Sequence, residues 1–264
     1  MGLARIGTSG WAYPSWRGAF YPTGLPQRDW LSFYARHLNA VEVNASFYRL
    51  PSEKAIRDWI DKTPEGFRFA VKAWRLITHI HRLLDCGDLL REFLARAALF
   101  GAKLGPVLFQ LPPRFPAEPA RLARFLTDLP RDFRYACEFR DPSWHVRAIY
   151  ELLQAHDVSF VPFDLAGLTA PQVATASFVY VRLHGHRQRY RGAYPEAVLQ
   201  QWAHWLCRCV AEGREVWAFF DNTEAAADAV ADARRLQALL EGCGGSPDDA
   251  HPPLPDDARL RQSG

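Results

Sequence analysis

Apolar residues recur along the chain at two spacings, and the two alternate. Runs with strand character fall near residues 5–9, 40–45, 68–73, 106–111, 134–139, 159–164, 178–184 and 216–221. Between most of them lie segments with the period of an amphipathic helix. Trp30, Phe33, Tyr34 and His37 mark the first such face. Ile56, Trp59 and Ile60 mark the second, opened by Pro51-Ser52 and closed by Pro64. Residues 89–100, 118–129 and 144–155 follow. Val198, Leu199, Trp202, Trp205, Leu206, Cys209 and Val210 mark another, and Ala226, Ala229, Val230, Ala233, Leu236 and Leu240 the last. Strands alternating with helices predict an α/β protein with a parallel sheet. Eight strand-like runs in about 240 residues predict a (β/α)8 TIM barrel.

Two features fit this pattern badly. Residues 165–177, with Gly167 and Pro171, are too short and broken for a full helix, which predicts an irregular sixth crossover. Pro162 falls inside the sixth strand, where it forfeits a ladder hydrogen bond. A doubly wound open sheet is the alternative fold, although no G-x-G-x-x-G follows the first strand. The barrel reading makes residues 1–240 one domain. Residues 241–264, rich in Gly, Pro and Asp, read as a C-terminal tail.

Side chains alternate along a strand, so parity sorts strand ends into interior and helix side. In AVEVN, Ala40, Glu42 and Asn44 share one face, and Val41 and Val43 share the other. A polar set cannot sit beneath helices cheaply, so it is expected inside. The same rule turns Ala70 and Lys72 inward, then Leu108 and Gln110, then Ala136, Glu138 and Arg140. It adds Asp164 from the sixth run, Arg182 and His184 from FVYVRLHG, and Asp221 from the eighth. These residues stand at the carboxyl ends of their strands, where barrel enzymes hold their chemistry. A structural salt-bridge network across the barrel mouth is the competing reading, because buried charges must be paired in either case.

Aromatic residues make up 13% of the chain, more than the strands and helices need. The first βα connection carries Trp11, Tyr13, Trp16, Phe20 and Tyr21; Phe47 and Tyr48, Trp74 and Trp144 follow later strands. Most should pack on each other as a lid, with Trp11 and Tyr48 expected to meet a ligand as stacking faces. Thr78, His79 and His81 read as ordinary loop residues.

Formal charge of +3 is too small to argue for a nucleic-acid surface. Five Cys without a C-x-x-C pair read as reduced thiols. No run has signal-peptide or transmembrane length, so a soluble cytoplasmic protein is expected.

The blocks IGTSGWAYPSW, AVEVNASFYRLP, FAVKAWRLITH, LGPVLFQLPPRF, ACEFRDPSW, YVRLHG and FFDN, in this order, resemble the YecE-like family of TIM-barrel proteins, a domain-of-unknown-function family. The resemblance spans roughly residues 5–240 and implies a TIM barrel. It implies little about activity beyond a loose link to sugar-isomerase-like barrels. Matched positions include Trp11, Glu42, Asn44, Lys72, Gln110, Glu138, Arg140, Arg182, His184 and Asn222. One departure is DNT, where the family more often has Asn-Asn or Asn-Asp, which questions an amide role at Asp221.

The expected function is an enzyme acting on a small polyhydroxylated or phosphorylated, and so anionic, substrate by sugar-isomerase-like acid–base chemistry. Glu138 is the candidate acid or base, Lys72 the carbonyl-polarising cation, and Asp164 and His184 the further catalytic groups. Trp11, Glu42, Asn44, Tyr48, Gln110, Arg140, Arg182, Asp221 and Asn222 are expected to bind substrate, the two arginines as an anion clamp. The sequence requires no cofactor. A secondary variant places Mn²⁺ or Mg²⁺ on Glu138, Asp164, His184 and Asp221. A different class of function, nucleotide or single-stranded nucleic-acid binding, would use the rim aromatics with Arg187, Arg189 and Arg191. The oligomeric state is open.

Overall fold

Most strand-like runs become strands, and the alternation with helices holds. The computed structural model describes residues 4–224 and 227–242. Its elements run β1 (Ala4–Ser9), α1 (Trp30–Tyr34), β2 (Ala40–Val43), α2 (Ala45–Tyr48), α3 (Glu53–Asp61) and β3 (Arg68–Lys72). Then come α4 (Gly87–Ala98), β4 (Leu104–Leu111), α5 (Pro119–Thr127), β5 (Tyr135–Phe139) and α6 (Arg147–Ala155). The short strands β6 (Ser159–Phe160), β7 (Phe163–Leu165) and β8 (Leu168–Thr169) lead to β9 (Phe178–Leu183), α7 (Glu196–Ala211), β10 (Glu215–Phe220) and α8 (Asp228–Glu241). Among the described residues the strands form one sheet in the order β6-β5-β4-β3-β2-β1-β10-β9-β7-β8. All pairings are parallel except β7 with β8. No reversal of strand order marks the switch point of a doubly wound sheet.

The sheet is strongly curled. In that order β5 and β9 stand six strands apart, which in a flat sheet would separate them by about 29 Å. Yet Arg182 NH1 on β9 lies 2.8 Å from Glu138 Oε2 on β5. Side chains inside the curl form their own buried layer: Ala40, Ala70, Leu108, Ala136, Tyr180, Trp217 and Phe219. The alanines leave room for the large rings opposite. Gly105 is forced by the same packing, since a Cβ there would sit 2.6 Å from the Trp217 ring. The other face packs under the helices, with Leu199, Trp202, Trp205, Leu206 and Cys209 of α7 buried there.

The sixth strand differs from expectation. Pro162, which has no N–H to give, splits it into β6 and β7. β6 pairs with β5, and β7 pairs with β9. An uninterrupted ring of eight strands is therefore not what these pairings form. The sixth crossover is irregular, containing the β7–β8 hairpin instead of a helix. The first predicted helix stops at Tyr34, short of His37. Ala226 of the last predicted face, and the tail expected over 241–264 apart from its first two residues, lie outside the described residues.

The thiols need one correction. Cys86, Cys137 and Cys209 are free, but Cys207 is disulfide-bonded. Reduced cysteines therefore no longer support a cytoplasmic location. Among the described residues no helix is long and apolar enough to cross a membrane.

Candidate functional site

Register places the polar strand ends at one height. Gly7 and Ser9 of β1 lie beside Ala40 and Glu42 of β2. Glu42 lies beside Ala70 of β3, and Gln110 of β4 beside Glu138 of β5. Because the sheet curls, β9 delivers Arg182 into the space between them.

Arg182 is the hub, buried at 1% exposure. Its Nε and NH2 donate to Glu42 Oε2 and Oε1 at 2.9 and 2.7 Å. Its NH1 donates to Glu138, and NH2 lies 3.6 Å from Asp221 Oδ2. Glu42 also accepts from the Ser9 hydroxyl at 2.7 Å and the Tyr180 hydroxyl at 2.6 Å. Four donors fill its lone pairs. Glu138 takes a second guanidinium, the Nε of Arg140. Burial pushes the Glu138 carboxyl up, but Arg140, Arg182 and His184 outweigh it and hold the group well below the usual carboxylate range. Glu138 is thus a fixed anion and not a tunable acid.

His184 links this network to the open side. Arg140 NH2 lies 2.8 Å from His184 Nε2, and an arginine can only donate. Nε2 must therefore accept, which puts the ring proton on Nδ1, from which it is donated to Asp221 Oδ2 at 2.9 Å. The imidazole is neutral. Burial, then the charges of Arg182 and Arg140, lower its pKa to about 4. Burial raises the Asp221 carboxyl, but its hydrogen bond from and interaction with His184, then the charges of Arg182 and Lys72, bring it below the ordinary aspartate value. Asp221 is 16% exposed through its side chain, whereas Glu42 and Glu138 are sealed.

Lys72 stands apart from these pairs. It is half-buried at the end of β3, with Nζ 4.3 Å from the centre of the Phe47 ring. Among the described residues no carboxylate lies within 4 Å of it. Burial and then Arg182 lower its pKa to about 8, against the weaker pull of Glu138, Glu42 and Asp221. The other face of the arrangement is His79, edge-on to Phe47 at 4.8 Å and bonded to Thr78 Oγ1 at 2.9 Å. It sits on a π-helical turn, Leu76–Ile80, followed by the left-handed residues Arg82, Leu83 and Asp85. Such backbone is costly and concentrates at functional sites.

Several expected residues are placed elsewhere. Asp164 is a correction. β7 aligns Phe163 with Arg182 and Asp164 with Leu183, so Asp164 shares the outer face. There His186 Nδ1 meets it at 2.8 Å, a partner that the inward rule did not foresee. Phe163 takes the inner place, under the Arg140 guanidinium at 4.6 Å. Trp11 turns away to Trp59, edge-on at 5.2 Å, and the two wall a separate cavity of about 490 Å³ with Asn44, Gln27 and Arg28. Asn44 Oδ1 is buried without a hydrogen-bond partner among the described residues. Tyr48 is 72% exposed and touches Phe47 by its edge. Gln110 Nε2 donates to the carbonyl of Leu111. Asn222 faces α8, donating to Asp232 Oδ2 and to the Gly192 carbonyl. Arg187 and Arg189 are exposed, and Arg191 pairs with Glu224 at 2.9 Å.

Sequence reasoning missed Ser9, Tyr180 and Phe47. Parity held the signal for two of them, because Ser9 alternates with Thr8 and Tyr180 stands one layer below Arg182. Nothing marked Phe47 over Tyr48. The proposed metal set does not fit the arrangement. Arg140 occupies the His184 Nε2 lone pair, two guanidiniums occupy Glu138, and Asp164 faces away. Among the described residues no group of three His, Cys, Asp or Glu could hold a metal ion.

The chain is similar to known proteins. The UPF0759 protein YecE of Escherichia coli (strain K12) is 36% identical over 143 residues, 54% of this chain and 50% of that protein. The chain thus matches about half the length of that relative. The UPF0759 protein YunF of Bacillus subtilis is 27% identical over 89% of this chain and 94% of its own length. The crystal structure of a DUF72 family protein from Thermotoga maritima superposes with a TM-score of 0.81 at 27% identity, covering 90% of this chain and 99% of that one. The family model described as Protein of unknown function DUF72 matches residues 5–257, and the chain belongs to that family.

Proposed function

We propose that the curled sheet is a closed (β/α)8 barrel, with the segment 159–165 as its sixth stave, and that its mouth catalyses proton transfer on a small polyhydroxylated carbonyl compound. Both edges of the split strand support closure: Val161 N–H bonds to Cys137 O on one side at 3.0 Å, and Arg182 N–H to Pro162 O on the other at 3.2 Å. The observation that carries the catalytic reading is the contrast between Lys72 and everything around it. Three carboxylates (Glu42, Glu138, Asp221) and two guanidiniums (Arg140, Arg182) leave one negative charge, which protonated Lys72 balances without a direct ion pair. Lys72 is therefore the cation with a free face for a carbonyl oxygen. Asp221 is the ionised carboxylate with an open side, and it replaces Glu138 as the base that removes a proton from the adjacent carbon. His184 fixes the carboxylate by its Nδ1–H, much as an orienting histidine holds a catalytic acid. Arg182 has its donors committed, so recognition of substrate anions would fall to Arg140 and to rim residues.

A panel of aldoses, ketoses and their phosphates, assayed for isomerisation or for solvent deuterium uptake, tests the proposal. Asp221→Asn and Lys72→Met should each abolish turnover, by 10²-fold or more as an order of magnitude, and remain folded. Undiminished turnover in either variant would defeat the assignment. Glu138→Gln should instead act through stability.

A further inference from the structure

We infer that Lys72 is a covalent catalyst: its side-chain amine condenses with the carbonyl of an aldehyde or ketone substrate to form an imine. This rests on the proposed carbonyl substrate and deepens it, because a lysine that merely polarises a carbonyl needs no neutral form.

The geometry is that of a nucleophile and not of a charge anchor. Among the described residues the other charged side chains of the cluster pair directly: Glu42, Glu138 and Asp221 with Arg182, and Glu138 with Arg140. Lys72 has no carboxylate within reach, and its half-buried amine leans on an aromatic face. A lysine desolvated beside a second cation is the standard means of making a neutral amine near pH 7. Here the second cation is Arg182, whose charge the fold keeps in place through its bonds to Glu42 and Glu138. A pKa of about 8 in place of 10.5 raises the neutral fraction at pH 7 about 300-fold.

The step balances without a co-reactant. The neutral amine attacks the carbonyl carbon; the C–N bond forms as the carbonyl π bond opens, and the oxygen takes up a proton to give a carbinolamine. The hydroxyl then departs as water with a second proton. Overall, one protonated lysine and one carbonyl give one protonated imine and one water. The ring of Phe47 faces a cation before and after. The proton that Lys72 sheds on becoming neutral is the one returned to the leaving hydroxyl, and His79, held neutral with a pKa of about 4 by burial and then Lys72 and two arginines, does not compete for it. The protonated imine acidifies the adjacent carbon, where Asp221 works.

The test uses the full chain with dihydroxyacetone or glyceraldehyde as probe and borohydride as trap, followed by intact mass and peptide mapping. The chain has four lysines, so Lys54, Lys62 and Lys103 are internal controls. Lys54 is exposed, and Lys62 is paired with Asp58 at 2.7 Å. At pH 7 a single reduced adduct is expected at Lys72, at least tenfold above each control. Adducts spread evenly over the four, or absent from Lys72, would overturn the inference. Lys72-dependent turnover without trapping would sink the imine and leave the proton-transfer reading standing. Trapping at Lys72 with no turnover on the sugar panel would do the reverse.

Discussion

Replacing Arg182 by Met is the most searching perturbation of the mouth. The substitution keeps an unbranched apolar stem, shortens the side chain and removes the charge. It deletes the two bonds to Glu42 at 2.9 and 2.7 Å, the bond to Glu138 at 2.8 Å and the closer approach to Asp221. Glu42 keeps the hydroxyls of Ser9 and Tyr180, and Glu138 keeps Arg140. Both carboxylates are sealed from water, so breaking the buried pair should cost about 3–5 kcal/mol. At about 2–4 °C per kcal/mol for a domain of this size, Tm should fall by roughly 6–20 °C at pH 7. The deficit should shrink as pH is lowered towards 5, because an unpaired buried carboxyl can take up a proton. Adding Glu42→Gln should recover part of the loss, and a double-mutant cycle by urea unfolding would measure that coupling. A loss below about 1 kcal/mol, the value of a solvent-exposed pair, would refute the view of Arg182 as a desolvated hub.

Acid should unfold the protein early. His184 is held neutral with its pKa lowered from 6.5 to about 4, so the unfolded chain binds more protons in that window and stability falls as pH drops from 6.5 to 4. The depressed carboxyls of Glu138 and Asp221 contribute stability above their unfolded pKa of about 4 and lose it below, so Tm measured from pH 7 down to 4 should decline throughout; a flat profile would contradict the site electrostatics. Gly105→Ala should cost about 1–3 kcal/mol by pressing a methyl into the Trp217 ring, and Trp217→Leu in the same chain should relieve it, as chemical denaturation would show.

Much of the mouth was legible because period two is a strict rule. Ala40, Glu42, Ala70, Leu108, Ala136 and Glu138 face inward as the alternation requires, and the curl follows once each strand end must keep its charge from the helices. The rule failed at Asp164, where Pro162 interrupts the ladder and His186 supplies an outer partner. It also could not rank the ends by protonation. Glu138 reads as a tunable acid in sequence, yet two guanidiniums, one from β9 and one just past the end of its own strand, fix it as an anion. Aromatic order was likewise invisible: Phe47 over Lys72 and Tyr48 in solvent differ by one residue on a four-residue helix, a choice made by tertiary packing.

The place of β1 between β2 and β10 bears on how the chain must be made. Arg5 pairs with Trp217 and Thr8 with Phe220, partners 212 residues apart. On a ribosome adding 5–20 residues per second, one edge of the first strand would wait about 10–40 s for its neighbour. During that interval a strand edge with free amides is open to other nascent chains. Slow, long-range closure of this kind also sets a late folding barrier, so yield from rapid overexpression should improve at low temperature or with a holding chaperone.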